Sequence, residues 1–190
     1  MIDTSSSCSA LAVVGDEGPV ASLLLAGGRA HDLPGQVLGL ADLRRLKAVA
    51  VGLGPGSFTG LRIGVSYGVG LAMGLGVPLL GIGSLDLQAA RADEPVTALV
   101  EAGRGRLYWQ EPGGEPHASE PAQLPRGLPA VGWLRPASLA AVRAVGVRLL
   151  ADDELRGFGQ AAASLLGTAE ELGYDTVKLK YMQSFWTLRE

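Results

Sequence analysis

The sequence is poor in the side chains that most enzymatic sites use. Its 190 residues include one cysteine, Cys8, and two histidines, His31 and His117. A single cysteine excludes an intrachain disulfide and favours a reducing compartment, and Cys8 is expected to be a small buried hydrophobe. The two histidines are far apart, and no HxxxH or HExxH pair places two imidazoles on one helix face. We therefore expect neither a metal site nor a metal-dependent peptidase.

Positive charge is also scarce. The chain has 16 Lys and Arg against 19 Asp and Glu, a formal net charge of −3. Independent binding to RNA needs clustered cations, so this balance argues against it. The one dense basic group, at Arg44, Arg45 and Lys47, is expected to be a solvated helix end. Asp3 and several serines stand where a signal peptide would be apolar, which predicts a cytoplasmic protein.

Aromatic residues make up 5% of the chain and hydrophobic residues 47%, so the core must consist of Ala, Val, Leu and Ile. The 28 glycines suit an α/β chain with many tight turns. Residues 63–85 carry no charge and could be taken for a membrane helix. Pro78 and the glycines around it interrupt that run, so a helix followed by a short buried strand is expected instead.

The pattern along the chain predicts a mixed sheet with helices on its faces. Two strands joined by a tight turn, at 10–14 and 20–25, should form a hairpin. The next elements are predicted as a helix over 33–45, a strand over 47–53, a helix over 60–75, a strand over 78–82 and a helix over 84–91. Ser84 is expected to cap the last of these helices. Asp93-Glu94-Pro95 predicts a boundary, with one α/β unit at 1–93 and a smaller one at 94–190. In the second unit we predict strands at 96–101 and 106–110, a loop at 111–129 and helices at 137–145 and 156–167.

The most specific feature is the string Gly54-Pro55-Gly56-Ser57-Phe58-Thr59-Gly60-Leu61-Arg62, which joins a predicted strand to a predicted helix. Such a loop lies at the carboxyl edge of an α/β sheet, where it can hold an anion on free amides or simply make a tight turn. Ser57 does not stand in the G-x-S-x-G context of a serine nucleophile. Ser57 and Thr59 are better explained as helix-capping hydroxyls.

This string resembles the signature of the bacterial TsaB (YeaZ) family, part of the glycoprotease-like (peptidase M22-like) superfamily. Asp3-Thr4-Ser5 resembles the turn that closes the family's first strand, and residues 76–85 and 101–109 are similar to later family segments. The resemblance implies two ribonuclease-H-like halves of the actin/sugar-kinase type, the second smaller and degenerate. Two departures stand out: only Met1 and Ile2 precede the turn, and the segment between His31 and the signature is shorter than usual.

The family resemblance also implies a function. Such a chain would be a non-catalytic scaffold subunit without protease activity. It would bind a TsaD-type partner for N6-threonylcarbamoyladenosine formation at position 37 of tRNA. A TsaE-type ATPase would join the complex, tRNA would bind only through the complex, and the chain alone would form a homodimer. TsaD relatives carry a histidine pair that this sequence lacks.

An alternative function is a small ATP-binding enzyme of the sugar-kinase/actin type. In nucleotide-binding relatives of this fold, an Asp and hydroxyls at the first turn help to hold Mg²⁺ and phosphate. Asp3, Thr4 and Ser5 could do so here, with weak ATP or ADP-Mg binding as the expectation. The same three residues could equally stabilise a turn through side chain to backbone hydrogen bonds. No G-x-x-x-x-G-K-[ST] motif accompanies them.

The helix after the signature contains a glycine repeat. Gly60, Gly64, Gly68 and Ala72 recur every four residues and so share one face. Each interior glycine costs about 1 kcal/mol relative to alanine, so close approach to another element must offset that cost. That element is either the sheet of the same domain or a second subunit. The resemblance favours the second subunit, with an interface at Phe58, Gly60, Leu61, Arg62, Gly64, Val65, Gly68 and Leu71.

Overall fold

The computed structural model describes residues 1–26 and 32–180, in which two mixed sheets are covered by helices. The first part of the chain forms β1 (Ile2–Asp3), β2 (Cys8–Gly15), β3 (Gly18–Ala26), α1 (Leu33–Leu40), β4 (Val49–Gly52), α2 (Phe58–Leu75), β5 (Leu79–Ile82) and α3 (Ser84–Ala89). The second part forms β6 (Thr97–Gly103), β7 (Arg106–Gln110), β8 (His117–Ser119), β9 (Ala130–Val131), α4 (Pro136–Ala144), α5 (Phe158–Leu166) and β10 (Glu170–Leu172). The predicted α/β class is confirmed.

The two sheets share one plan. Among the described residues, the first sheet has the strand order β10-β5-β4-β1-β2-β3 and the second has the order β8-β7-β6-β9. In the first, β1 pairs antiparallel with β2 and parallel with β4. In the second, β6 pairs in the same two ways with β7 and β9. Strands β2 and β3 form the predicted hairpin.

The last helix of each half packs on the sheet of the other half. Helix α3 contacts β6, whereas α5 contacts β2 and β3 and also packs against α3. Strand β10 then pairs antiparallel with β5 and extends the first sheet. The chain after residue 157 thus belongs to the first sheet in space, although it follows the predicted boundary in sequence. The division at residues 93 and 94 stays a prediction.

Several predicted boundaries differ from the structure. The helix predicted over 33–45 ends at Leu40, and a separate 3-10 turn at Leu43–Arg45 begins where Asp42 accepts a hydrogen bond from the Arg44 amide. The loop predicted over 111–129 contains β8. Local pattern did not predict strands β1, β9 and β10, because two or three residues are too short to show alternation. For β1, the family resemblance alone implied a strand that ends at the turn.

A polar cluster joins the two halves. The buried Arg91, just after α3, lies with its guanidinium 4.1 Å from the centre of the Trp133 ring. The same guanidinium donates to Gln88 Oε1 at 3.1 Å and forms an ion pair with Asp152. Trp133 in turn packs against Phe158 of α5, with 5.9 Å between ring centres. A buried cation on an aromatic face thus links α3 to the second half.

Helix α2 ends where the uncharged run was expected to break. Gly76 caps it with a φ of 66°, in the left-handed region, and β5 begins three residues later. Among the described residues, no helix is both long and apolar enough to cross a membrane. The expectation of a helix followed by a short strand is therefore confirmed for this run.

The glycine repeat of α2 lies against the first sheet. A Cβ at Gly68 would stand 2.2 Å from Val51 Cγ1 of β4, and one at Gly64 would stand 2.2 Å from Thr4 Oγ1. In contrast, a Cβ at Gly70 or Gly74 would have no heavy atom outside the helix within 4 Å. The repeat therefore permits close helix-to-sheet packing, which was one of the two explanations for it.

This difference predicts opposite effects for two alanine substitutions in one helix. Gly68→Ala should lower the free energy of unfolding by about 1–3 kcal/mol, because the new methyl group overpacks against Val51. Gly70→Ala should raise it by up to about 1 kcal/mol, because alanine is the better helix former and has open space. Urea unfolding of both variants tests this, and equal effects would contradict the packing described.

Candidate functional site

The signature loop turns the chain from β4 into α2. Gly54 has a φ of 98°, which a residue with a side chain rarely adopts, and the Gly54–Pro55 peptide is cis. Ser57 caps the helix as predicted: its hydroxyl accepts a hydrogen bond from the Gly60 amide at 3.3 Å. Thr59 lies within the first turn of α2, which begins at Phe58.

The turn at Asp3-Thr4-Ser5 packs directly on this loop. The Ser57 amide donates to the Ser5 carbonyl oxygen at 2.7 Å, and Thr4 Oγ1 donates to the Gly60 carbonyl oxygen at 2.6 Å. A Cβ at Gly56 would stand 2.5 Å from the Ser5 carbonyl oxygen. The backbone of the turn therefore contacts the backbone of the signature loop, and these two motifs pack together as one unit.

Asp3 is the buried centre of that structure, with 1% of its surface exposed. Its carboxylate accepts hydrogen bonds from the Ser5 amide and the Ser5 hydroxyl, each at 3.1 Å, and from the Ser84 hydroxyl at 3.3 Å. Burial raises the pKa of Asp3, because the charged form is poorly solvated, and the hydrogen bonds from Ser5 and Ser84 oppose that rise.

Ser84 completes the network in a role that the sequence did not indicate. It was expected to cap α3, but Gly83 is the capping residue and Ser84 is the first residue of the helix. The Ser84 hydroxyl donates to Asp3 and accepts from the Gly54 amide at 3.1 Å. Ser84 thereby connects the first strand, the signature loop and α3.

This geometry favours the structural explanation of the turn over a nucleotide site. Asp3 is buried and both of its oxygens accept hydrogen bonds inside the protein, so as placed the carboxylate serves the turn and is not presented to solvent. Within residues 1–26 and 32–180, no three His, Cys, Asp or Glu side chains are grouped as metal ligands would be. Binding of ATP or ADP-Mg stays a prediction.

His117 is not part of this site. His117 lies on β8 in the second sheet, where its ring stacks on Trp109 with 4.4 Å between centres. His31 falls outside the described residues.

Helix α2 presents the predicted interface residues on two different faces. Leu61, Gly64, Val65 and Gly68 are buried against the protein's own sheet, and a Cβ at Gly60 would overlap the Thr4 carbonyl oxygen. Leu71 is half-buried against the first core. Phe58 and Arg62 are exposed, and the Arg62 guanidinium lies 3.8 Å from the centre of the Phe58 ring. A partner can reach only this second group without rearrangement.

The outward face contains residues that the sequence reasoning missed. Ile63, Ser66, Gly70 and Met73 follow one another at spacings of three and four, so they form one ridge. The exposed fractions are 37% for Phe58, 42% for Ile63 and 57% for Met73. Arg62 is the one charged residue in the 18 residues of α2. A solvent-facing helix surface is normally rich in charge, so this ridge is an exposed apolar surface.

Comparison with known proteins shows what the chain is similar to. Residues 35–117, which include α2, match the family model described as TsaD: tRNA N6-adenosine threonylcarbamoyltransferase. The tRNA threonylcarbamoyladenosine biosynthesis protein TsaB of Escherichia coli is 40% identical over 75 residues, which cover 37% of this chain and 32% of that protein. Over this segment the chain is similar to proteins of the TsaB (YeaZ) family.

Two further relatives define the extent of the similarity. The uncharacterized protein ML0378 of Mycobacterium leprae is 32% identical over 119 residues, or 57% of this chain and 33% of that protein. The chain therefore spans about a third of the length of these curated relatives (32% and 33%). The structure of YeaZ from Pseudomonas aeruginosa has the same fold, with a TM-score of 0.69 at 22% identity over 95% of this chain and 97% of that one.

The raised pKa of Asp3 predicts a specific pH dependence of stability. A carboxyl group whose pKa is raised by folding stabilises the protein below its unfolded pKa. That contribution is lost as the pH rises from about 3.8 through the folded value. Asp3→Asn cannot ionise, so the stability of the wild type relative to this variant should fall as the pH rises. Urea unfolding of both proteins between pH 4 and 8 measures this, and a constant difference would contradict it.

Proposed function

We propose that this chain is a non-catalytic scaffold subunit in the biosynthesis of N6-threonylcarbamoyladenosine at position 37 of tRNA. It binds a TsaD-type catalytic partner through the outward face of α2. A TsaE-type ATPase joins the assembly, tRNA binds through the complex, and the chain forms a homodimer when alone. Similarity to TsaB proteins supports the pathway, and the match to a TsaD model fits a TsaD-type partner.

The observation that carries this proposal is the exposed apolar ridge of α2. Ile63 and Met73 project large apolar side chains, while Ser66 and Gly70 between them leave room for another helix to approach. A bulky apolar side chain at each end with small residues between is a shape that a second helix can pack into. The interface therefore shifts from the glycine repeat, which packs internally, to the opposite face of the same helix.

The match to the TsaD model also suggests how the outward face of α2 can form both a homodimer and a heterodimer with a TsaD-type protein. Because the matched segment includes α2, a TsaD-type protein carries a related segment. A homodimer built on α2 is isologous, with the same patch on both subunits. A related partner can replace one copy on that patch, so the homodimer and the heterodimer should compete.

Ile63→Arg should abolish docking while leaving the fold intact. Ile63 is 42% exposed, so an arginine there can extend into solvent in the free chain, whereas within an apolar contact its guanidinium would be desolvated without a partner. We expect at least a tenfold loss of affinity for the TsaD-type protein encoded by the same genome. Size-exclusion chromatography with light scattering, on the chain alone and mixed, measures both assemblies.

The matched control is Val20→Arg, the same change at an apolar residue on β3 that is 71% exposed. It should leave both assemblies intact. Reconstituted tRNA modification then tests the function itself: product should form with the wild type and with Val20→Arg but not with Ile63→Arg. Loss of binding in both variants, or in neither, would contradict the assignment of α2 as the docking face.

A further inference from the structure

The segment that follows β10, residues 173–180, runs beside α2, and we refer to it as the strap. At its start, the Tyr174 hydroxyl donates to the Val77 carbonyl oxygen at 2.6 Å, just past the end of α2. At its other end, the Lys180 amide donates to the Leu53 carbonyl oxygen at 2.9 Å, just before the signature loop. The strap therefore contacts the chain at both ends of α2.

Between these two hydrogen bonds the strap is held by few apolar contacts. Val177 and Leu179 are half-buried and pack on the first core, which also contains Val65 and Ala72 of α2. Their spacing of two is that of an extended chain, in which alternate side chains point to the same side. The remaining strap residues are exposed. The strap thus shares a core with the inward face of α2 while its outer side remains open.

The strap also packs against the signature loop. A Cβ at Gly54 would stand 3.1 Å from the Lys180 carbonyl oxygen and 2.9 Å from Leu61 Cδ1 of α2. Gly54 is therefore enclosed between the strap and the helix. Lys180 thus bonds to Leu53, just before the loop, and lies close against Gly54, its first residue.

At the other end the strap adds to the apolar ridge. Tyr174 is 37% exposed, and its hydroxyl lies 3.5 Å from the Ala72 carbonyl oxygen, next to the exposed Met73. Among the described residues, the large exposed hydrophobic side chains include Phe58, Ile63 and Met73 on α2 and Tyr174 on the strap. An aromatic ring with a polar tip is a common anchor in protein interfaces.

We infer that the strap contributes to docking at the outward face of α2, both by positioning the helix and by contacting the partner. Lys180 is a positioning residue, because its backbone amide holds the signature loop from which α2 starts. Tyr174 is a contact residue that extends the ridge toward the TsaD-type partner. This inference rests on the proposed function for its partner, but the positioning of the loop can be measured without one.

Two substitutions at one position isolate the backbone hydrogen bond. Lys180→Pro removes the amide that donates to Leu53, whereas Lys180→Ala removes the same side chain and keeps the amide. Hydrogen exchange of the chain alone should be at least fivefold faster at the amides of residues 54–61 in Lys180→Pro than in Lys180→Ala. Affinity for the TsaD-type protein should fall about tenfold in Lys180→Pro only. Equal exchange and equal affinity in the two variants would overturn the inference.

The contact role of Tyr174 is tested in the same way. Tyr174→Ala should weaken binding about tenfold, and Tyr174→Phe, which keeps the ring, should stay within about threefold of the wild type. Equal binding by wild type and Tyr174→Ala would overturn that role. If the wild type itself binds no TsaD-type protein, the proposed function fails. The exchange comparison at residues 54–61 then still decides whether the strap positions the loop.

Discussion

The rest of the structure depends on the contact between the first turn and the start of α2, where backbone meets backbone. The Ser57 amide bonds to the Ser5 carbonyl oxygen, and a Cβ at Gly56 or Gly60 would overlap the carbonyl oxygen of Ser5 or Thr4. No side chain could be inserted there without separating the helix from the sheet. The signature loop and the turn therefore depend on each other, because each provides the backbone surface on which the other packs.

This contact decides which face of α2 is available for function. With Gly64 and Gly68 against Thr4 and Val51, the opposite ridge must face solvent. Ile63 and Met73 are then exposed because of the rotation of the helix. The internal glycines and the external ridge are consequences of the same rotation. A bulky substitution at Gly64 would disturb the packing of the helix on the sheet, whereas one at Ile63 would alter the exposed ridge.

Much of the first sheet could be predicted from local pattern. The β2–β3 hairpin follows from two apolar runs around a tight turn, and the order strand, loop, helix and strand through β5 follows from changes in periodicity. The orientation of α2 could not be predicted, because both of its faces carry small and apolar residues and periodicity gives only their spacing. The return of α5 and β10 to the first sheet depends on contacts between residues distant in sequence. The role of Ser84 also depends on a distant residue, Asp3.

Each half has a buried carboxylate that accepts hydrogen bonds from the start of a helix. In the first half, Asp3 at the end of β1 accepts hydrogen bonds from Ser5 and Ser84. In the second half, the buried Glu101 of β6 accepts from the Arg135 amide at 2.8 Å and from the Ser138 hydroxyl of α4 at 3.1 Å. Each carboxylate ties a strand to the start of a helix, and its oxygens are occupied by the protein's own donors. The carboxylates are thus occupied inside the protein, whereas the apolar ridge of α2 is exposed, and an exposed apolar surface suits binding to another protein.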